Sequence, residues 1–183
     1  MSRITRTGAV GAALLIAAGA AATTATTATA DGHATGKREA AALTGTAKLY
    51  RSAGDDITFS FDAHLAAKDN DNPLKATGTF RFSHYGANGE GGWAKAKVDC
   101  LLTGGKVAVV SGVITATDLD GVKGHRVGIT VHDTGRTDRL GYSWAGSEDM
   151  GPKDLPKCVG SAPFEKVKKG TGDFTVVPWN PKF

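Results

Sequence analysis

The 183-residue chain has only two cysteines and no C-x-x-C pair. Short-spaced thiolates are what a structural zinc site draws on, so that class is excluded. Five histidines, at 33, 64, 84, 125 and 132, show neither H-x-H nor H-E-x-x-H spacing. Zinc would therefore need ligands brought together by folding alone. No G-x-S-x-G elbow is present, which removes the commonest sequence mark of a serine hydrolase. No apolar run reaches the roughly 20 residues that a membrane-spanning helix requires. Beyond the first thirty residues no amphipathic helical pattern is sustained, apart from a short helical turn expected near Phe164 to Lys169.

The apolar run that does occur, Gly8 to Ala22, lies behind Arg3 and Arg6 and ahead of Ala28-Thr29-Ala30. A basic start, an apolar middle and small residues at the cleavage positions make a secretory signal. Cleavage is expected after Ala30. No Arg-Arg pair points to the twin-arginine route, and no Cys follows the cut to take a lipid. The expectation is a secreted protein without a membrane anchor. Removing two arginines leaves 20 basic residues against 18 acidic ones. That balance gives no ground for expecting nucleic acid or an anionic membrane as partner. Lys166, Lys168 and Lys169 are expected to form a solvated face. Residues 31–42 lack periodicity and are expected to be a loose arm, with residues 43–183 as one domain.

Cys100 and Cys158 form an even count in a chain expected to leave the cytoplasm, and so a disulfide. Closing a loop of 58 residues contributes about 4 kcal/mol in the chain-entropy description.

From residue 43 onward the period is two. Ile57, Phe59, Phe61, Ala63 and Leu65 share one face of "DITFSFDAHLA", with Thr58, Ser60, Asp62 and His64 on the other. "KATGTFRFSHY" sets Ala76, Gly78, Phe80, Phe82 and His84 against Lys75, Thr77, Thr79, Arg81, Ser83 and Tyr85. A hairpin is expected with Gly104-Gly105 as its loop. That register gathers Ala96, Val98, Cys100, Leu102, Val107, Val109 and Val113 on a core face. Trp93, Leu101, Val110 and Ile114 then share the other face with Lys95 and Lys97, too apolar to be fully wet, so another segment is expected to cross it. "HRVGITVHD", "GYSWA" and "DFTVVPW" bring the total to eight or nine strands. With 25 glycines placed largely between strands, the fold expected is an all-β antiparallel sandwich or closed barrel.

Asp133-Thr134-Gly135 is the tripeptide of aspartic proteases, which need two carboxylates sharing one proton. Here His132 precedes it, Arg136 follows it, and no second copy exists. A neighbouring cation favours full ionisation, so the triplet is expected to be a strand end, with Asp138 forming an ordinary exposed pair with Arg136 or Arg139. Ser60, Asp62 and His64 share a strand face, but residues two apart stand about 6.6 Å apart, too far for a relay. Asp69 and Asp71 are candidate calcium ligands, although an EF-type loop would place Gly and Glu where Leu74 and Phe80 stand. His84 has core parity and is expected to be partly buried. Trp93, Tyr142 and Trp144, with Trp179 and Tyr85 nearby in kind, are candidates for an aromatic platform binding a glycan, a small molecule or an extracellular protein.

The segments "FDAHLAA", "KATGTFRFSHY", "VDCLLTGGKVAVVSGVITATD", "RVGITVHDTGRTDRLGYSW" and "CVGSAPFEKVKKGTGDFTV" resemble a group of secreted bacterial proteins called repetin-like. The resemblance spans most of the chain after residue 42 and implies an exported β-rich domain. It carries no catalytic or binding residues. The function expected is therefore binding or structural and non-enzymatic. The alternative is a small extracellular hydrolase whose acid and base groups converge only in the fold.

Overall fold

The computed structural model describes residues 39–145 and 155–181. The expected signal sequence and residues 31–38 of the expected arm lie outside them. Among the described residues there are nine strands: β1 (Glu39–Lys48), β2 (Asp56–Ala66), β3 (Thr77–Tyr85), β4 (Gly91–Gly104), β5 (Val107–Thr117), β6 (Arg126–His132), β7 (Arg139–Tyr142), β8 (Glu165–Lys166) and β9 (Asp173–Val177). They make one antiparallel sheet in the order β8-β7-β6-β5-β4-β3-β2-β1-β9. Strands β1 to β8 form a meander, each paired with the next, and β9 returns to flank β1. The sheet curls into a half-barrel, so the all-β expectation holds, with one curled sheet in place of two stacked ones. Among the described residues the only helical elements are two 3-10 turns, Ala67–Asp69 and Pro73–Lys75.

The two-residue period decides which side chains fill the hollow of the curl. Phe59, Phe61, Phe80, Phe82 and Phe174 are buried there with Leu43, Leu65, Val127, Ile129 and Leu140. Phe61 and Phe174 meet edge to face at 5.2 Å between ring centroids, and each such ring contributes about 2 kcal/mol by leaving water.

The edges of the curled sheet meet along the segment that carries β8 and β9. β8 pairs with β7, and Val167 then bridges Leu49 just beyond β1. Lys166 accepts from the Tyr50 N–H at 2.8 Å, and the Lys168 N–H donates to the Lys48 carbonyl at 2.7 Å. Further along, β9 has β1 on one side and, among the described residues, no strand on the other. Side chains take the missing strand's place. The Phe174 N–H donates to the Asp138 carboxylate at 2.8 Å and the Val176 N–H to the Asp133 carboxylate at 3.2 Å. The Thr103 hydroxyl donates to the Val177 carbonyl at 2.9 Å and accepts from the Trp179 N–H at 2.7 Å.

Four sequence expectations are corrected here. Strand β1 begins at Glu39, so residues 39–42 belong to the sheet rather than to an arm; Ala40, Ala41 and Ala42 offer no polar contrast from which a period could be read. The region from Phe164 to Lys169 holds β8, not a helical turn, because pairing with β7 and Leu49 overrides local preference. The hairpin pairs Gly104 with Val107, so the loop is Gly105-Lys106, with Gly105 at φ +56° in the first loop position, where a II′ turn wants glycine. Lastly, a β-bulge between Val98 and Cys100 inserts Asp99 and reverses the faces beyond it. Leu101, Ala108, Val110 and Ile114 are therefore in the core with Val98, while Leu102, Val107, Val109 and Val113 are half-buried on the convex side. Cys100 lies on that convex side opposite Ser111.

A strap formed by residues 155–162 crosses this convex side at Cys100, Gly128 and Gly141, so a covering segment is present as expected, although Leu101, Val110 and Ile114, from which it was expected, are in the core. Cys158 is disulfide-bonded to Cys100 with a Cα–Cα distance of 5.4 Å. Its N–H donates to the Ser111 hydroxyl at 3.0 Å, and Ser111 in turn donates to Asp99 at 2.7 Å. Arg126 donates from Nε to Asp99 at 2.7 Å and from its terminal nitrogen to the Leu155 carbonyl at 3.0 Å. Backbone passes over backbone at Gly128 and Gly141, where a Cβ would collide with the Val159 and Ala162 carbonyls.

Candidate functional site

Asp133 directly follows β6 and is 6% exposed; Asp138 precedes β7 and is 1% exposed. The triplet is a strand end, as expected, but the exposed pairing foreseen for Asp138 is corrected. Its carboxylate accepts from the Thr134 N–H at 2.8 Å and from Phe174 across the seam, a long-range partner that local sequence does not reveal. Burial works to raise the Asp133 pKa, but the Lys106 ammonium at 2.9 Å and the Val176 and Gly135 N–H groups outweigh it and hold the group below the usual carboxylate range. Both oxygen sets are occupied by backbone and lysine donors, an arrangement suited to fastening strands.

The three aromatic candidates do not assemble. Tyr142 and Trp144 line one end of the hollow, 4.8 Å apart, with Trp144 4.6 Å from Phe82 and Tyr142 5.9 Å from Phe59. Trp93 stands on the convex side. Residue parity alone did not place them on opposite sides. Tyr142 also belongs to a polar group that sequence reading missed. Arg51 donates to the Tyr142 hydroxyl at 2.9 Å and pairs with Glu165 at 2.5 Å. Burial raises the Tyr142 pKa, with the Glu165 charge adding to it and Arg51 opposing it.

Asp69 and Asp71 are not joined into a chelate. Asp69 stands 3.4 Å from Lys75, and Asn70 between them accepts from the Trp179 indole N–H at 2.8 Å. Among the described residues no group of three or more His, Cys, Asp or Glu side chains is placed to hold a metal ion. The loop borders a shallow depression of about 660 Å³ edged by Glu39, Lys68, Val177 and Asn180. On β2 the expectation that Asp62 and His64 stand too far apart is corrected, since their side chains bridge the backbone spacing and meet at 2.8 Å; His64 also lies 2.7 Å from Glu39, while Ser60 accepts from the Thr46 hydroxyl and joins neither. Burial lowers the His64 pKa, and the two carboxylates overcome that and raise it. His84 is corrected from partly buried to exposed, with 58% of its side chain in solvent beside Asp55 at 3.0 Å; it ends its strand past the curl that buries Phe82.

The convex side of β3 and β4 presents a different chemistry. Register sets Arg81 opposite Lys95, Thr79 opposite Lys97 and Ser83 opposite Trp93. Arg81, Lys95 and Lys97 are exposed and Trp93 is half-buried. The Arg81 guanidinium lies over the Trp93 ring at 4.2 Å from its centroid. The backbone of Trp93 is clamped on both sides: its N–H donates to Asp118 at 2.6 Å, and its carbonyl accepts from the Thr117 hydroxyl at 2.8 Å. The alternation in each strand was visible in the sequence, but cross-strand register is what turns separate cations into a cluster.

Fold and surface together define an antiparallel β half-barrel, strapped by a disulfide, that presents a fixed cation-and-aromatic face. No protein-family model, curated protein or solved structure matches the chain.

Proposed function

We propose that the protein is an exported, non-enzymatic binding domain and that the convex face of β3 and β4 is its binding surface. The observation that carries this is the Arg81–Trp93 stack beside Lys95 and Lys97. Like charges set directly opposite each other destabilise a sheet by a few tenths of a kcal/mol. These strands lie in the middle of the sheet, so protection of an open edge does not explain them. A rigid aromatic with neighbouring donors is how β domains commonly hold extended ligands. Export is supported by the basic, apolar and small-residue order of residues 1–30, by the disulfide, and by the resemblance to repetin-like secreted proteins.

The test is a binding screen of the purified chain against immobilised polysaccharides, run beside assays for peptide and ester hydrolysis. Binding lost on Trp93→Ala with Arg81→Ala is the expected result. Turnover of a peptide or ester with no ligand bound would replace this reading by the hydrolase alternative.

A further inference from the structure

We infer that the ligand of this face is a polyanionic polysaccharide, one carrying carboxylate, sulfate or phosphate groups along its chain. The inference rests on the β3–β4 face being the binding surface and adds the chemistry it selects. Among the described residues five cations are neutralised: Lys48 by Asp56, Arg51 by Glu165, Lys75 by Asp69, Lys106 by Asp133 and Arg126 by Asp99. Arg81, Lys95 and Lys97 are not, and unlike other unpaired cations such as Lys123 and Lys169 they are gathered by the β3–β4 register beside an aromatic ring. Among the described residues no carboxylate oxygen lies within 4.0 Å of any of the three. The carboxylates on the adjoining strand β2 are engaged otherwise, Asp62 with His64 and Asp56 with Lys48.

Spacing argues for a polymer. Opposed residues on paired strands sit about 5 Å apart and successive residues on one face about 6.6 Å apart. Arg81, Lys95 and Lys97 thus make a triangle several ångströms on a side, laid out on a convex surface with no enclosing wall. A single small anion there would stay in water and be held weakly, whereas a chain with repeated charges engages all three cations at once. Contact with the Trp93 ring restrains the Arg81 guanidinium on this face, and its planar fork suits an oxyanion. The hydroxyls of Thr79 and Ser83, on the same face of β3, are placed to bond sugar hydroxyls between the charged groups.

The experiment is chromatography of the purified chain on heparin, on polygalacturonate, on neutral dextran and on duplex DNA, each eluted with rising salt. Retention on heparin and polygalacturonate, absent on dextran and falling with salt, is expected. Arg81→Ser/Lys95→Thr/Lys97→Thr is expected to weaken heparin binding about tenfold or more, because neutralising contacts dominate such affinity. A control with the same change in net charge, Lys123→Thr/Lys168→Thr/Lys169→Thr, is expected to stay near the unaltered value. On the unaltered protein, bound heparin is expected to shield Lys95 and Lys97 from acetylation, a readout that needs no variant. Equal loss in both triple variants, or no shielding, would overturn the inference. Tighter retention on duplex DNA would replace the ligand class. Salt-independent binding to dextran through Trp93 would end the polyanion inference and leave the binding surface standing; retention on nothing would end both.

Discussion

The carboxylate of Asp138 accepts backbone N–H groups from Thr134 and from Phe174, 36 residues away, at 1% exposure. Removing it strands two buried donors, each costing about 1–3 kcal/mol. Asp138→Ala is expected to lower unfolding free energy by about 2–4 kcal/mol in urea titrations, far more than an exposed ion pair would. Its neighbours titrate in opposite senses. Asp133 has a lowered pKa, so its contribution is present above the usual carboxylate value and is lost as pH falls through its folded value. Asp173 has a raised pKa, first because it shares a hydrogen bond with Asp138 and then through burial and repulsion. Its contribution is present in acid, below the usual carboxylate pKa, and is lost as pH rises through the folded one. Asp173→Asn is therefore expected to raise the urea midpoint at pH 7 and leave it unchanged at pH 3. An unchanged midpoint at both would show that Asp173 is not strained against Asp138.

Strands themselves were readable wherever apolar and polar residues alternate cleanly. Phe59, Phe61, Phe80 and Phe82 fell on the buried face as their spacing required. The errors arose where pairing, not periodicity, decides. A single inserted residue, Asp99, sent Cys100 to the convex side, although the cysteine pairing itself followed from their even count and the expectation of export. Likewise Trp93, Tyr142 and Trp144 share a residue type but not a side of the sheet, while Arg81 and Lys95 meet only because β3 and β4 pair in one register. The strap offers its own tests. Cys100→Ser/Cys158→Ser is expected to cost about 4 kcal/mol in the chain-entropy description and to speed amide exchange along the strap at Val159, with β2 and β3 little changed. Gly128→Ala is expected to loosen the same strap with the disulfide intact, since its Cβ would meet the Val159 carbonyl, and hydrogen exchange would report it. Protection of the strap equal to that of the unaltered chain would refute the close packing at Gly128.

The half-barrel as a body is held by two unlike kinds of join. Across most of its width, neighbouring strands exchange regular backbone hydrogen bonds; at the seam beyond β9, the side chains of Thr103, Asp133 and Asp138 stand in for a strand. Acid below the usual carboxylate range is therefore expected to weaken the Asp133 join of this seam ahead of the meander. Hydrogen exchange at Val176, whose N–H Asp133 holds, is expected to rise at a pH where β3 and β4 remain protected. Simultaneous loss of protection in all strands would contradict that order.

A sheet laid down as successive neighbours also has a direction of assembly. From β1 to β7 each pairing closes a short stretch of chain, so most of the structure forms through local encounters that cost little loop entropy. Docking β9 against β1 joins residues such as Thr44 and Thr175 from distant parts of the sequence. Refolding should show a fast phase that builds the curl and a later one that locks it, with the slower rate sensitive to Asp138 and indifferent to Lys95.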